Sequence, residues 1–283
     1  MSEPVTAETF WICRTCAVEH ATRPDVCAIC ADERQWVPAT GQAWTTLDEL
    51  AAEGLAVEVA ELEPDLLALH ASPQVGIGQQ AKVVRTPAGA LLWDPLGFVD
   101  DAGVEAVLQA AGGLDVLIAA SHPHMYGVQV EWSRRLTAAT GRPVPVLVSE
   151  ADAGWVARPD AVIETWSGER EVLPGVVLSQ PGGHFPGSAV AHWAGADRRG
   201  VLLSGDTIFA NPDRTASFMR SYPNRIPLSA AVVTRVAEHV ARRPFDRLYN
   251  NFEGVIPADA LDVVLRSAER HAAWVRGDFD HLT

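Results

Sequence analysis

Past residue 30 this chain of 283 residues has no cysteine, and no uninterrupted apolar run reaches the roughly 18 residues of a membrane-spanning helix. Nothing in it is built to sit in or on a membrane. It also lacks a basic stripe: the formal net charge is −14, which argues against a phosphate backbone as the main partner and leaves nucleic acid out of the expected partners. The first residues lack the basic and apolar segments of a signal peptide, so a cytoplasmic location is expected. No internal repeat and no low-complexity stretch breaks the pattern. What remains is 48% apolar residues, enough for one large domain plus a small module, and a domain of this size buries roughly three quarters of its unfolded surface.

All four cysteines fall near the N-terminus, as Cys13-Arg-Thr-Cys16 and Cys27-Ala-Ile-Cys30. Each Cys-x-x-Cys pair forms a knuckle with its sulfurs turned to one side, and two such knuckles close a tetrahedron of thiolates at about 2.3 Å from Zn²⁺. Two disulfides or four unrelated thiols are the bland alternatives, and a reducing cytoplasm disfavours the first. The spacing resembles a zinc ribbon or a shortened rubredoxin. The second would imply iron and electron transfer; structural zinc is expected here. Ala17 and Ala31 stand where glycines usually follow the second cysteine of each knuckle, so the turns are expected to depart from the usual shape. Zinc ribbons often bind nucleic acid, but Arg14, Arg23 and Arg34 are matched by Glu19, Asp25, Asp32 and Glu33. Pro38-Ala-Thr-Gly41 reads as a turn-rich exit, which divides the chain into a module over 1–40 and a larger domain over 41–283. So small a module draws much of its folding free energy from metal.

In the larger domain β-like and helical runs alternate. Strands are expected at 76–85, 90–93, 116–120, 145–148, 189–193 and 201–203, and helices at 103–111, 128–137, 229–242 and 257–276. This is a mixed α/β pattern. Trp36, Trp93, Trp155 and Trp274 lie in apolar or amphipathic contexts and are expected to fill core.

After the apolar run Leu114–Ala120 comes Ser121-His122-Pro123-His124. In an extended chain residues i and i+2 project to one side, and Pro123 biases His122 away from helical dihedrals, so the two imidazoles can chelate. Gly182-Gly183-His184 presents a third imidazole on a loop that glycines let bend tightly. Val201-Leu-Leu-Ser-Gly205 delivers a carboxylate, Asp206, at a strand end. His20, His70, His192, His239, His271 and His281 belong to no such motif and read as surface or satisfied histidines.

In order and spacing, His122-Pro-His124, His184 in a glycine loop and Ser-Gly-Asp206-Thr after a strand resemble the metallo-β-lactamase fold superfamily over about residues 75–270. Leu91-Leu-Trp93-Asp94 matches that family's early strand, whose aspartate supports the metal site from behind. The resemblance implies a four-layer αβ/βα sandwich with metal at one edge of two central sheets. Most members are zinc or iron hydrolases; dioxygenases and flavin-linked oxidoreductases are a minority.

The departures are specific. Where the family has His-x-His-x-Asp-His, this chain has Tyr126 and Gly127 for the last two, and the late histidine is replaced around Asn250-Asn251. Those three groups build the family's second metal position, so the resemblance implies one position held by His122, His124, His184 and Asp206, for zinc or iron. Three neutral imidazoles leave a coordination position at which bound water becomes acidic, near pKa 7. Asp206, if not itself a ligand, would orient that water or take its proton, and the Tyr126 phenol would donate to a developing oxyanion. The expected activity is metal-dependent hydrolysis of an ester, thioester, amide or phosphoester. The segment Ser217–Arg225, with Arg220 and Arg225, reads as a loop suited to an anionic small-molecule substrate or simply as a packed connection. Two other readings stand beside this one: a catalytically silent scaffold whose cysteine module contacts a protein partner, and a redox protein with iron among the cysteines.

Overall fold

The computed structural model describes residues 10–283. Alternation along the strands generates the architecture. In Gly89–Trp93, Leu91 and Trp93 point one way and Ala90 and Leu92 the other. Leu117 and Ala119 likewise separate from Ile118, and Leu147 from Val146 and Val148. A strand apolar on both faces must be covered on both. One face of this sheet lies under helices Asp101–Ala111 and Gln129–Thr140, whose Val104, Val107, Trp132 and Leu136 join its core. Its other face meets a second sheet, from which Val176, Leu178, Ala191, Val201 and Leu203 complete the central layer. The outer face of that second sheet, through Val190, Leu202 and Leu248, lies under helices Ala230–Val240 and Ala260–Val275. The result is the expected four-layer αβ/βα sandwich.

The first large sheet has seven strands, in the order 163–166, 146–149, 115–119, 89–93, 81–86, 66–72 and 56–63. The second has six, in the order 169–173, 176–179, 190–193, 201–203, 247–249 and 255–256. Strand Gly89–Trp93 runs parallel to Asp115–Ala119, and Val201–Leu203 parallel to Arg247–Tyr249. The carboxyl ends of such parallel strands are where αβ sheets place ligands, and the loops that leave these four carry Asp94, His122, Asp206 and Asn251.

Several local expectations need correction. The strand expected from residue 76 begins at Ala81, because Gly76 and Gly78 adopt positive φ and turn the preceding segment into a loop. The hairpin Ala56–Glu63 with Leu66–Ser72 was not anticipated. Its first strand is half exposed and rich in glutamate, so its apolar alternation is weak. The small sheet of the cysteine module takes its third strand from Trp44–Thr45, beyond residue 40. Its Ile12, Val18 and Ile29 belong to the same apolar cluster as Leu92 and Ile118 of the large sheet, so the module is packed onto the sandwich. Trp93 is buried as expected, but Trp36 and Trp274 are 45% and 43% exposed. No helix among the described residues is long and apolar enough to cross a membrane.

His192, one of the histidines read as surface or satisfied, lies buried in strand Val190–Trp193, its ring beside Phe245 and its Nε2 donating to Val240 O at 3.3 Å. Burial pushes its pKa down to about 4. The unfolded chain takes up this proton below about pH 6.5 and the folded chain does not, so stability from the neutral ring is present above that pH and lost as pH falls through 4. Relative to His192→Gln, wild-type metal-free protein should lose on the order of 3 kcal/mol between pH 7 and 4. Urea titrations across that range test this, and parallel pH profiles would refute it.

Candidate metal centre at the sheet edge

Two clusters of ligand-type side chains form among the described residues, and all eight residues are buried. In the first, Cys13 Sγ lies 3.6 Å from Cys30 Sγ and Cys16 Sγ 3.8 Å from Cys27 Sγ. Sulfurs at the corners of a Zn–thiolate tetrahedron lie about 3.8 Å apart. A disulfide would hold them near 2.05 Å, so the disulfide alternative fails and the four thiols are free. Gln42 Nε2 donates to Cys13 Sγ at 3.0 Å, and His20 Nε2 lies 3.4 Å from Cys27 Sγ. Hydrogen bonds from Cys13, Cys16 and Cys30, with a further one from His20, draw the Cys27 thiol far below its usual range. The same contacts push the Cys16 and Cys30 thiols up, so a metal bound there would have to displace their protons. The first knuckle keeps the left-handed turn: Ala17 sits at φ +62°, with its methyl group pressed close to Gly76 and Gly97. The second departs from it, since Ala31 ends a helical turn over Ala28–Ala31.

The second cluster gathers His122, His124, His184 and Asp206, one donor atom from each lying within 4.8 Å of the others. Its local geometry differs from an extended His-x-His. His122 is extended, at φ −169°, but Pro123–Met125 then forms a 3₁₀ turn that brings the His122 and His124 rings to 5.1 Å. Gly182 and Gly183 both have positive φ and bend the chain into His184. Gly205, at φ +53°, passes so close to Ser121 that a Cβ there would lie 2.5 Å from its side chain. That contact sets Asp206 beside the histidines.

Hydrogen bonds commit one nitrogen each of His122 and His184. His122 Nδ1 lies 2.8 Å from Ser121 Oγ, and the single Ser121 hydroxyl proton goes to Asp94 Oδ2 at 3.1 Å. His122 is therefore the donor through Nδ1, and its Nε2 carries a lone pair. Asp94 also accepts from Ser121 N at 2.6 Å, so this fully buried carboxylate stands behind the site, as expected. Burial raises its pKa to about 6, against the pull of His122 and the Ser121 hydrogen bonds. His184 Nδ1 donates to Met219 O at 3.0 Å, which frees Nε2. That Nε2 lies 3.3 Å from His124 Nδ1 and 3.8 Å from Asp206 Oδ2, while His122 Nε2 lies 3.5 Å from the same oxygen. Donors about 2.0–2.1 Å from a tetrahedral metal lie about 3.3–3.4 Å apart.

Burial keeps His184 neutral with a pKa pushed down to about 4, and holds the His124 pKa well below its usual range. Asp206 stays ionised: burial works against its charge but is outweighed by His122, His184 and the Asn251 side chain. His122 Nε2 and Asp206 Oδ1 have no hydrogen-bond partner although both are buried, an arrangement that costs about 1–3 kcal/mol per atom unless a cation satisfies them. Three imidazoles and one carboxylate fit a divalent metal.

The groups expected at a second metal position do other work. Tyr126 donates its hydroxyl to Asp152 O at 3.1 Å, and burial raises its pKa well above the usual range, so the proton expected for an oxyanion is already committed. Asn250 accepts from Phe252 N and Gly254 N within its own turn. Asn251 turns instead toward Asp206 and Met125. Segment 217–225 is a packed hairpin that holds the site from outside. Its Tyr222 hydroxyl donates to Asp206 O at 3.1 Å, and its Arg220 pairs with Glu33 of the cysteine module rather than facing open space. Sequence reasoning missed Ser121, Phe185 and Tyr222 as parts of this site, and also Lys82, the single lysine of the chain. Lys82 is buried and donates to Gln80 O and Phe252 O, tying its strand to the Asn251 turn. Only the serine next to a ligand histidine had a sequence signal.

No family model matches the sequence. The chain is 39% identical over 279 residues to the Bacillus subtilis (strain 168) protein YmaE, described as uncharacterized, covering 96% of this chain and 99% of that one. Among solved structures it resembles the DIM-1 metallo-β-lactamase, with a TM-score of 0.55 and 12% identity over 77% of this chain and 98% of that one. It also resembles the FIM-1 metallo-β-lactamase from Pseudomonas aeruginosa in its mono-zinc form, with a TM-score of 0.52 and 13% identity over 76% of this chain and 96% of that one.

The Asp94–Ser121–His122 chain makes a prediction. Ser121→Ala should leave the far-ultraviolet circular dichroism unchanged but weaken metal binding at the histidine cluster by about 10- to 100-fold, since His122 loses the partner that fixes its tautomer. Competition with a chromophoric chelator measures this; wild-type affinity would refute it.

Proposed function

This chain belongs to one family with YmaE of Bacillus subtilis and carries the metallo-β-lactamase fold, and from that premise we propose that it is a metal-dependent hydrolase with a mononuclear His122–His124–His184–Asp206 centre. The observation that carries the reading is the convergence of three imidazoles and a carboxylate on one buried point, with His122 Nε2 and Asp206 Oδ1 left without partners. Bound there, zinc or iron supplies Lewis acidity and makes a coordinated water acidic near neutral pH.

The side chains do the rest. Ser121 and Met219 O fix the tautomers of His122 and His184, so both rings present lone pairs without rearrangement. Asp206 would be the fourth ligand or, where it does not ligate, the proton acceptor: its carboxylate faces His122 and His184, and Asn251 helps to hold it charged. Phe185 packs its ring 4.9–5.7 Å from all three histidines and keeps bulk water away from the reacting groups. Tyr126 contributes by packing and through its bond to Asp152, rather than by donating to substrate. Substrates are small esters, thioesters, amides or phosphoesters, and the four-cysteine module holds structural zinc.

A second reading, a catalytically silent scaffold whose cysteine module meets a protein partner, draws support from the burial of all four donors, none more than 6% exposed. Metal content separates the two. Wild type should carry close to two metals per chain by inductively coupled plasma mass spectrometry, falling to one in His122→Ala/His124→Ala with loss of hydrolysis. About one metal in both proteins would overturn the proposal in favour of the scaffold. A red purified protein would place iron, not zinc, among the cysteines.

A further inference from the structure

The cysteine module touches the histidine centre at two places, and each contact leaves from one of its two knuckles. Four residues after Cys30, Arg34 is 6% exposed and donates through Nε to His184 O at 2.8 Å. Its guanidinium lies 4.0 Å over the ring of Phe185, and its NH1 is held by Asp32 Oδ1 at 2.7 Å. Its own carbonyl accepts from Ser221 Oγ at 3.1 Å, and Asn224 ties the carbonyls of Glu33 and Gln35 to the same hairpin. Three residues after Cys16, Glu19 is 2% exposed. Its main-chain N donates to Gly127 O at 2.9 Å, immediately after the His122–His124 turn. Its carboxylate accepts from Val130 N at 2.6 Å and pairs with the buried Arg158. The first knuckle therefore braces the segment that carries His122 and His124, and the second braces the loop that carries His184.

We propose that Arg34 is a positioning residue for the histidine centre, and that through it and Glu19 the folded four-cysteine module sets the metal affinity of that centre. The inference rests on the metal reading of the histidine cluster. The two knuckles hold their shape because a shared metal fixes four sulfurs. Residues three and four positions beyond them inherit that rigidity, and a brace only one helical turn from its anchor has little slack. The Arg34 fork matters because it fixes direction: Nε on His184 O, NH1 on Asp32 and the guanidinium plane over Phe185 leave the His184 loop one arrangement. A glycine pair precedes His184, so without that brace the loop has backbone freedom to leave the cluster.

Cobalt(II) reads the two centres separately in the full-length chain. The cysteine site gives intense thiolate-to-cobalt charge-transfer absorption, and the histidine site gives weaker visible bands that His122→Ala/His124→Ala removes. Arg34→Ala should keep wild-type charge-transfer absorption and circular dichroism while weakening cobalt at the histidine site about 10-fold or more. Arg34→Lys keeps the cation but not the fork, and should recover part of that loss. Arg23→Ala, which removes an exposed cation stacked on Trp11 of the same module, should leave both affinities unchanged. Histidine-site affinity within twofold of wild type in Arg34→Ala overturns the proposal. Should Arg34→Ala not fold, Arg34→Lys decides: wild-type affinity overturns it and intermediate affinity supports it. A wild type that never takes a second cobalt overturns the metal reading itself, and this inference with it.

Discussion

Three imidazole nitrogens and a carboxylate oxygen face one another at a point sealed from water. Their lone pairs and charge repel unless a cation lies among them, so everything around that point must hold them in place against their own repulsion. The two sheets do this by geometry, bringing strand ends from both to one edge. The hydrogen bonds do it by chemistry: Ser121 on His122 and Met219 O on His184 commit one nitrogen of each ring and leave the other for a ligand role. Asp94 anchors the first of these bonds, and burial shields the whole arrangement from competing water.

The same constraint explains how the lost second-metal groups are tolerated. Where the family resemblance implied an aspartate and two further histidines, this chain has Tyr126, Gly127 and Asn251. Tyr126 fills space and bonds to Asp152 O, Gly127 passes against the Pro95 and Leu96 carbonyls where no side chain fits, and Asn251 turns to Asp206. None of them leaves an uncompensated charge in the interior. A buried carboxylate or imidazole at those positions without its metal would cost several kcal/mol. The cysteine module closes the outer side, with Arg34 over Phe185 and Glu33 paired to Arg220.

Much of this was legible in the chain. The knuckle spacing identified the thiolate cluster because a tetrahedral site needs two sulfurs from each of two short turns. The strand-terminal Asp206 and the glycine-framed His184 were legible because the chain must bend sharply to present one side chain at a sheet edge. Helix positions followed from apolar periodicity. The glutamate-rich strand Ala56–Glu63 was not legible, since one of its faces is open to solvent and its pattern is weak. Whether His192 is a surface or a satisfied histidine was not legible, because polarity alone cannot show that a neighbouring helix offers a carbonyl to its Nε2.

The sequence by itself determined the types of donor side chain and their order, because these depend on residue identity and on spacings of a few bonds. Only the tertiary structure decided which nitrogen of His122 and of His184 is committed, that Tyr126 has its proton committed elsewhere, and that Arg34 and Glu19 reach the histidine loops. Those facts rest on contacts between residues as far apart as Arg34 and His184, 150 positions along the chain. Such pairs meet only once both sheets have packed and the cysteine module has docked, and no local pattern records the meeting.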